Sequence, residues 1–180
     1  QDGITIYHGD CREVLPSLSG VDLVFADPPY GVGLVYESHN DSTLIDQEWL
    51  TLCRALSPVV FVTPGYVNIY RYPAADYLLV RVDETAQSPG RISWMNKWEP
   101  ILVYGKPAGR LPWDVIYTAS QSERSRVPLD HPCPKPIRLL KAILGSFGCT
   151  FAVDPFMGSG TTLRAAKDLG IAAVGIEIEE

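Results

Sequence analysis

The chain has 180 residues, of which 46% are hydrophobic, and it carries a formal net charge of −6. This length and composition suit one compact domain with a substantial core, which we place over residues 1–180. No apolar run approaches the roughly 18 residues that cross a bilayer, and the first residues lack the basic and apolar segments of a signal peptide. We therefore expect a soluble, cytoplasmic protein with no membrane partner.

The positions of the cysteines indicate whether the protein could hold a structural metal ion. The four cysteines, at positions 11, 53, 133 and 149, are scattered along the chain and form no C-x-x-C pair. Such isolated cysteines favour reduced thiols over disulfides and argue against a structural zinc site. We therefore predict that the protein has no metal centre.

Charge is distributed unevenly along the sequence. Residues 1–50 carry nine acidic side chains against one basic one, whereas residues 81–138 carry nine Lys or Arg against six Asp or Glu. A polyanion that contacts only the second segment therefore meets a positive surface, despite the acidic total. An ordinary solvated acidic surface is the alternative interpretation.

Seven short apolar runs rich in β-forming residues alternate with helical or loop stretches. The predicted strands are Ile4–Tyr7, Val21–Ala26, Val59–Thr63, Tyr77–Val82, Ile101–Tyr104, Phe151–Val153 and Ala172–Ile176. The predicted helices are Gln47–Leu56, Pro136–Phe147 and Thr161–Leu169. This order indicates a doubly wound α/β sheet that is covered by helices on both faces. The irregular stretch 107–134 is long for a compact domain, and such loops are usually functional or disordered.

A glycine-rich turn joins the predicted strand at 151 to the helix that begins at Thr161. Gly158 and Gly160 allow close approach of a ligand to the backbone, and the following helix N-terminus attracts negative groups. Glu177 ends the next strand, where a carboxylate can accept hydrogen bonds from both ribose hydroxyls. These features predict a nucleoside-binding βαβ unit, the alternative being a turn that serves only packing.

Three cofactor classes compete for this turn. A dinucleotide favours a third glycine where Leu163 stands, and a P-loop requires a lysine that does not follow Gly160. S-adenosylmethionine instead needs a carboxylate and backbone amides for its amino-acid end. Asp154 and the backbone of residues 158–162 supply both, so the sequence favours S-adenosylmethionine.

The second motif is Asp27-Pro28-Pro29-Tyr30, at the carboxyl end of a predicted strand. An aromatic exocyclic amine is a poor nucleophile, and fixed acceptors for its N–H groups localise the lone pair. Asp27 and the Pro28 carbonyl offer two acceptors, and the two prolines hold that carbonyl rigidly. Tyr30 offers a flat face on which a flipped base can stack. We therefore predict a catalytic role in amine methylation for all four residues, the alternative being a proline-rich surface turn.

Together the two motifs resemble those of the DNA amino-methyltransferases, in particular the beta group of adenine-N6 enzymes. In that group an Asp-Pro-Pro-Tyr motif precedes the Phe-x-Gly-x-Gly turn, as Tyr30 precedes Phe156 here. The resemblance covers nearly the whole chain. It implies a Rossmann-like methyltransferase fold, circularly permuted, with a seven-stranded, mostly parallel sheet that contains one antiparallel strand.

The resemblance also implies a cofactor site for S-adenosylmethionine, with S-adenosylhomocysteine as the product and no metal. His8-Gly-Asp10-Cys11 looks like the family's strand tip that contacts the cofactor's adenine. The segment 131–136 is similar to the family's support for the methionine end, although Pro134 replaces the usual glutamine. The predicted cofactor-binding residues are Asp10, Cys11, Asp27, Lys135, Asp154, Phe156, Gly158, Ser159, Gly160, Thr161, Thr162 and Glu177.

A short target-recognition insertion is expected at about 107–130. Its candidate DNA contacts are Arg110, Trp113, Arg124 and Arg126, for which solvated loop charges are the alternative. The implied partner is double-stranded DNA with a flipped target base. A short recognition region also allows a homodimer, and a restriction-modification system would add a cognate restriction endonuclease. The implied host is a bacterium or a phage.

Three other functions remain open. Cytosine N4 is the nearest alternative target, although Asp27 favours adenine by family habit because cytosine-N4 enzymes often carry Ser there. A glutamine or RNA amine is a second, but such glutamine enzymes usually begin the motif with Asn and order their motifs differently. The third is an inactive module that binds cofactor or nucleic acid, against which Asp27, Tyr30 and the two glycines argue.

Overall fold

A computed structural model of the protein describes residues 3–31, 34–35, 40–41, 45–84, 97–109, 113–118 and 135–178. In these residues an eight-stranded sheet has the order β1-β10-β9-β2-β5-β7-β6-β8, with only β7 antiparallel to its neighbours. The strands are β1 (Ile4–His8), β2 (Leu23–Ala26), β5 (Val59–Val62), β6 (Tyr77–Asp83), β7 (Trp98–Gly105), β8 (Val115–Thr118), β9 (Phe151–Asp154) and β10 (Ala172–Glu177). A separate antiparallel pair is formed by β3 (Leu34–Val35) and β4 (Asn40–Asp41).

Helices and short 3-10 turns connect the strands. The helices are α1 (Cys11–Val14), α2 (Glu48–Leu56), α3 (Ile137–Ser146) and α4 (Thr161–Asp168), and the 3-10 turns are Leu15–Ser17 and Tyr66–Arg71. The longest of them, α3, has ten residues and buries Leu139, Leu140, Ile143 and Leu144 at helical spacing. In the described part of the chain no helix is long and apolar enough to cross a membrane.

The sheet separates two hydrophobic layers, as the alternation along β2 shows. Leu23 and Phe25 point into a cluster shared with α3 and α4, whereas Val24 and Ala26 point into a cluster shared with α1 and α2. All four β2 side chains are buried, so this strand packs on both faces. Truncation of the fully buried Phe25 to alanine would remove about 3–5 kcal/mol of stability. The predicted doubly wound arrangement is confirmed.

The order of the strands reverses between β9 and β2. From β9 the chain continues through α4 to β10 on one side, and from β2 it continues through α2 to β5 on the other. Ligands of open α/β sheets bind outside the carboxyl ends of the strands at such a reversal. We call this side of the sheet the carboxyl edge and the opposite side the amino edge. Because β7 runs in the opposite direction, its first residues lie at the carboxyl edge.

All seven predicted strands and all three predicted helices are present, with boundaries that differ by one to three residues. The seven-stranded sheet that the resemblance implied is wrong by one strand, because β8 lies in the stretch that was predicted to be irregular. Its four residues Val-Ile-Tyr-Thr are all strong β formers, but Pro, Ser and Trp around them masked this signal. They pair with β6 at the end of the sheet, within the predicted recognition insertion.

Candidate active site

Three acidic residues end or follow three adjacent strands at the carboxyl edge. Glu177 ends β10, Asp154 ends β9, and Asp27 follows the last residue of β2. In the register, Gly175 of β10 pairs with Asp154, and Val24 of β2 pairs with Val153. The structure therefore brings the Asp27–Tyr30 motif and the glycine-rich turn together at the reversal of strand order.

One oxygen of the Asp27 carboxylate receives three donors. Thr63 donates its hydroxyl to Oδ1 at 2.5 Å, Tyr30 donates to the same oxygen at 2.7 Å, and the Lys135 ammonium lies 3.1 Å from it. Among the described residues no donor lies within hydrogen-bonding distance of Oδ2. The carboxylate side chain is about a quarter exposed. The arrangement fixes Asp27 through Oδ1 and leaves Oδ2 to accept a further hydrogen bond.

Tyr30 is held at both its ring and its backbone. The amide of Asn68 donates to the Tyr30 carbonyl at 2.7 Å, and Gly65 lies against the ring. Lys135 Nζ is 2.5 Å from the hydroxyl oxygen and 5.2 Å from the ring centroid, so the ammonium lies beyond the hydroxyl and not above a ring face. Burial, followed by the Asp27 and Glu99 carboxylates, raises the pKa of the Tyr30 hydroxyl well above its usual value. The hydroxyl therefore remains a neutral donor and acceptor.

The Lys135 ammonium binds three oxygens of the site. Besides Asp27 and Tyr30, it donates to Glu99 Oε1 at 2.5 Å. Desolvation lowers the pKa of Lys135, but the Asp27 and Glu99 carboxylates outweigh it and raise that pKa to about 12. For the Glu99 carboxylate, desolvation acts in the opposite direction and raises the pKa. The positive charges of Lys135 and Arg81 outweigh this effect and leave the pKa of Glu99 below its usual value. Both groups are therefore charged at neutral pH.

The polar network extends from Glu99 to the far strands of the sheet. Arg81 binds Glu99 Oε2 at 3.2 Å, Asp83 Oδ2 at 2.9 Å and the Thr118 hydroxyl at 2.9 Å. Arg81 and Glu99 are direct partners in the register of β6 and β7. A continuous chain of polar contacts thus links Thr118, at the end of β8, to Asp27.

Asp154 is a buried carboxylate without a cationic partner among the described residues. It is 3% exposed, and it accepts hydrogen bonds from the Phe156 backbone amide at 3.0 Å and from the Thr162 side chain. Desolvation raises the pKa of Asp154 to about 7, and these hydrogen bonds only partly oppose it. A cationic ligand group would therefore find its counter-charge here.

Glu177 and the glycine-rich turn hold each other in place. The Gly158 amide donates to Glu177 Oε2 at 2.6 Å, and the Ile178 amide donates to Oε1 at 3.0 Å. Gly160 has φ +73°, and a Cβ atom placed there would meet nothing within 4 Å. The turn therefore faces open space beside a fixed carboxylate.

The other predicted residues of the turn have different surroundings. Phe156 packs edge-on against buried Trp49, with ring centroids 4.9 Å apart. The Ser159 and Thr161 hydroxyls lie 3.1 Å from each other near the surface, whereas Thr162 is buried. Phe156, Ser159 and Thr161 are at least partly exposed, and Thr162 is not.

The tip of β1 lies beside Glu177, as its amide at Gly9 donates to the Glu177 carbonyl at 2.8 Å. Both oxygens of Asp10 are engaged by Arg12, through the guanidinium and the backbone amide, and Asp10 thereby caps α1. Cys11 lies in a hydrophobic cluster, and its burial raises the pKa of the thiol to about 12. A contact of either residue with the cofactor stays a prediction.

Of the four candidate DNA contacts, only Trp113 lies within the described residues. Trp113 is 74% exposed and lies between the end of β7 and the start of β8, at the amino edge and away from Asp27. Arg110, Arg124 and Arg126 lie outside the described residues, as does His131. The chain leaves the carboxyl edge after Thr118 and returns there at Lys135. Arg124 and Arg126 lie in the sequence between these two described positions.

Sequence reasoning missed Thr63, Glu99 and Arg81. Thr63 directly follows β5, the parallel neighbour of β2, so its place at the carboxyl edge could have been inferred. Glu99 is a lone charge at the start of an otherwise apolar strand, which is a weak signal of a buried polar contact. Arg81 had no comparable signal, because only the pairing of β6 with β7 places it opposite Glu99.

An open depression of about 610 Å³ lies beside the turn, between β1 and α4. Its lining comprises the apolar side chains of Ile4, Ile6, Met157 and Leu163, the turn residues Gly158, Ser159 and Gly160, and the basic side chains of Arg164 and Lys167. Asp27, Asp154 and Glu177 do not line it. In the described part of the chain no group of three or more His, Cys, Asp and Glu side chains could hold a metal ion.

Known proteins resemble this chain in sequence and in fold. A model of a DNA methylase family, the N6/N4 methyltransferases, matches residues 94–180. The Type II methyltransferase M.ScaI of Streptomyces caespitosus is 28% identical, over 98% of this chain and 78% of that protein. The M1.HpyAVI–SAM complex superposes with a TM-score of 0.73 at 22% identity, covering 98% of this chain and 94% of that one. The cytosine-N4-specific PvuII DNA methyltransferase gives 0.65 at 15% identity, covering 98% and 82%.

The two solved structures confirm the Rossmann-like α/β fold of a methyltransferase. The family match, which covers just under half of the chain, and the similarity to M.ScaI agree with the predicted resemblance to the DNA amino-methyltransferases.

Proposed function

We propose that the protein transfers a methyl group from S-adenosylmethionine to the N6 amino group of adenine in DNA. The observation that carries this proposal is the pair of carboxylates at the switch point. Asp27 presents an unoccupied oxygen, and Asp154 beside it is buried without a cation among the described residues. One carboxylate suits the amine that is methylated, and the other suits the ammonium group of the cofactor.

The carboxyl edge fits this cofactor in three respects. Asp154 supplies the counter-charge for its ammonium group, Glu177 supplies a fixed acceptor for its ribose hydroxyls, and the space at Gly160 leaves room at the backbone. When bound, S-adenosylmethionine supplies a methyl group attached to a positively charged sulfur, and the sulfur keeps the electrons of the carbon–sulfur bond that breaks.

Asp27 prepares the amine for attack. Its Oδ2 accepts one N–H of the amine, which localises the nitrogen lone pair and aims it at the methyl group. The Pro28 carbonyl is the proposed second acceptor. Because Thr63, Tyr30 and Lys135 all hold Oδ1, the carboxylate does not reorient when the substrate arrives. The new nitrogen–carbon bond leaves the amine with one excess proton, which passes to water.

Tyr30 is the proposed stacking partner of the flipped base. Gly65 supports one face of the ring, and the Lys135 ammonium covers neither face because it lies beyond the hydroxyl. Base–aromatic stacking contributes about 1–3 kcal/mol per base and supports a base that has left the duplex. For the rest of the DNA we propose contacts from Arg124 and Arg126, because their segment leaves and returns at this edge.

Adenine N6 is favoured over cytosine N4 by Asp27, in keeping with the family habit described above. Purified protein should be incubated with S-adenosylmethionine and unmethylated DNA, and the digested nucleosides analysed by mass spectrometry. We expect N6-methyladenine, formed at least about 10²-fold more slowly by Asp27→Ala. N4-methylcytosine would identify the alternative target, and the absence of any methylated nucleoside would contradict both. A homodimer and a cognate restriction endonuclease stay predictions.

A further inference from the structure

Glu99 lies at the centre of the polar network but does not touch Asp27. Its Oε1 accepts a hydrogen bond from Lys135 at 2.5 Å and lies 3.0 Å from the Tyr30 hydroxyl oxygen, and its Oε2 binds Arg81 at 3.2 Å. The Glu99 side chain is only 15% exposed. It reaches this position because β7 is antiparallel, so that its second residue lies at the carboxyl edge.

Stability alone does not account for this buried carboxylate. Desolvation of a charged group is costly, and buried ion pairs are often no more stabilising than apolar side chains of similar size. Here two cations compensate one carboxylate, and each cation also binds a second acid, Asp27 or Asp83. The outcome of this arrangement is a defined position for the Lys135 ammonium.

Lys135 uses all three of its donors within the site. They reach Glu99, the Tyr30 hydroxyl and Asp27 Oδ1, and the contact with Asp27 is the longest of the three at 3.1 Å. Glu99 therefore holds the ammonium back from Asp27. Without Glu99, Lys135 would pair with Asp27 alone and draw the carboxylate away from the incoming amine.

Glu99 also sets the local charge. Asp27 and Glu99 carry two negative charges against the single positive charge of Lys135, while Arg81 is matched by Asp83. A site with one net negative charge stabilises the positive charge that methyl transfer moves from sulfur to nitrogen. With a neutral residue at position 99, Lys135 would cancel the charge of Asp27.

We propose that Glu99 is a positioning residue of the methyl-transfer site, which acts through Lys135 and Tyr30 to keep Asp27 Oδ2 available to the amine. This inference rests on the proposed function. It predicts that Glu99 affects the methyl-transfer step and not the binding of either substrate.

The test compares Glu99→Gln with Glu84→Gln, which removes the same charge from an exposed position just after β6. Single-turnover methyl transfer, cofactor affinity by calorimetry and the melting temperature are measured for both variants and for the unmodified protein. We expect Glu99→Gln to lower the transfer rate constant about tenfold or more while the cofactor Kd changes less than about threefold. Glu84→Gln should match the unmodified protein.

Two further variants test whether the position of the Glu99 carboxylate matters in addition to its charge, and whether its effect passes through Lys135. Glu99→Asp keeps the charge but withdraws the carboxylate by one methylene group, so it should also slow transfer. In a Lys135→Met background, Glu99→Gln should have little additional effect, because its influence passes through Lys135. Full activity in Glu99→Gln, or additive losses in the double variant, would overturn the inference. Absence of methyl transfer by the unmodified protein would instead overturn the proposed function and this inference with it.

Discussion

Gly65 lies against the ring of Tyr30, so that a Cβ atom on this glycine would stand 3.3 Å from Tyr30 Cγ and 3.4–3.5 Å from the adjacent ring carbons. Gly65 has φ +68° and ψ 150°, a region that residues with a side chain rarely adopt. The same residue therefore meets two constraints, one from its own backbone and one from the Tyr30 ring.

For Gly65→Ala we expect slower methyl transfer, because the added methyl group displaces the Tyr30 ring. The matched control is Gly20→Ala, since Gly20 has φ +69° but nothing within 4 Å of an added Cβ. Each variant should lose about 1–3 kcal/mol of stability through its backbone. Only Gly65→Ala should reduce the single-turnover rate beyond its effect on folding. Equal rates for the two variants would argue against a role of the glycine in placing Tyr30.

Asp27→Ala should lower the transfer rate by about 10²–10³-fold or more while cofactor affinity is retained, because only an acceptor for the amine is lost. Asp27→Asn is the more discriminating change. The three donors around Oδ1 require the amide oxygen at that position, which turns the NH₂ group toward the incoming amine. In the flipped orientation the NH₂ group would instead face Lys135. We therefore expect Asp27→Asn to be impaired as well. Unimpaired transfer by this variant would show that Oδ2 is not the acceptor.

Asp154 should make cofactor binding dependent on pH. Its pKa of about 7 lies far above the ordinary value of 3.8, whereas a bound ammonium group favours the ionised form. We therefore expect cofactor affinity to rise with pH up to about 7 and then to level off. At pH 6 binding should release a proton, which calorimetry in buffers of different ionisation enthalpy measures. In Asp154→Asn both the proton release and the pH dependence should disappear.

The same residue should affect stability in the absence of ligand. Because the folded protein binds this proton more tightly than the unfolded chain, the free energy of unfolding should fall as pH rises from about 4 to about 7. The loss amounts to about 1.4 kcal/mol for each unit of pKa difference. Urea titrations of Asp154→Asn at several pH values should lack this component. An identical pH dependence in both proteins would contradict the raised pKa.

Glu177→Ala should weaken cofactor binding about 10- to 100-fold, because it removes hydrogen bonds to a charged acceptor and frees the Gly158 amide. Glu13→Ala, an exposed change in α1, serves as the control. Calorimetric titration with S-adenosylmethionine measures both. An unchanged Kd for Glu177→Ala would remove this carboxylate from the ribose site.

The strand tips were predictable because each follows a local pattern. A buried apolar run that ends in Asp27, or a glycine turn before a helix at Thr161, is visible in the sequence, and parallel strands deliver such tips to one edge. Glu99 and Arg81 were not predictable in this way. Their contact depends on the antiparallel direction of β7 and on its register with β6, and neither is encoded locally. The same holds for the three donors that gather on one oxygen of Asp27.

The reversed direction of β7 also divides the chain's connections into two groups. The segment after Asp83 departs from the carboxyl edge and rejoins it before Trp98, and the segment after Thr118 does the same before Lys135. The connection from β7 to β8, by contrast, begins and ends on the opposite edge. Exchange of the first two segments between related enzymes should therefore alter target choice without rebuilding the sheet, whereas exchange of the third should leave it unaltered.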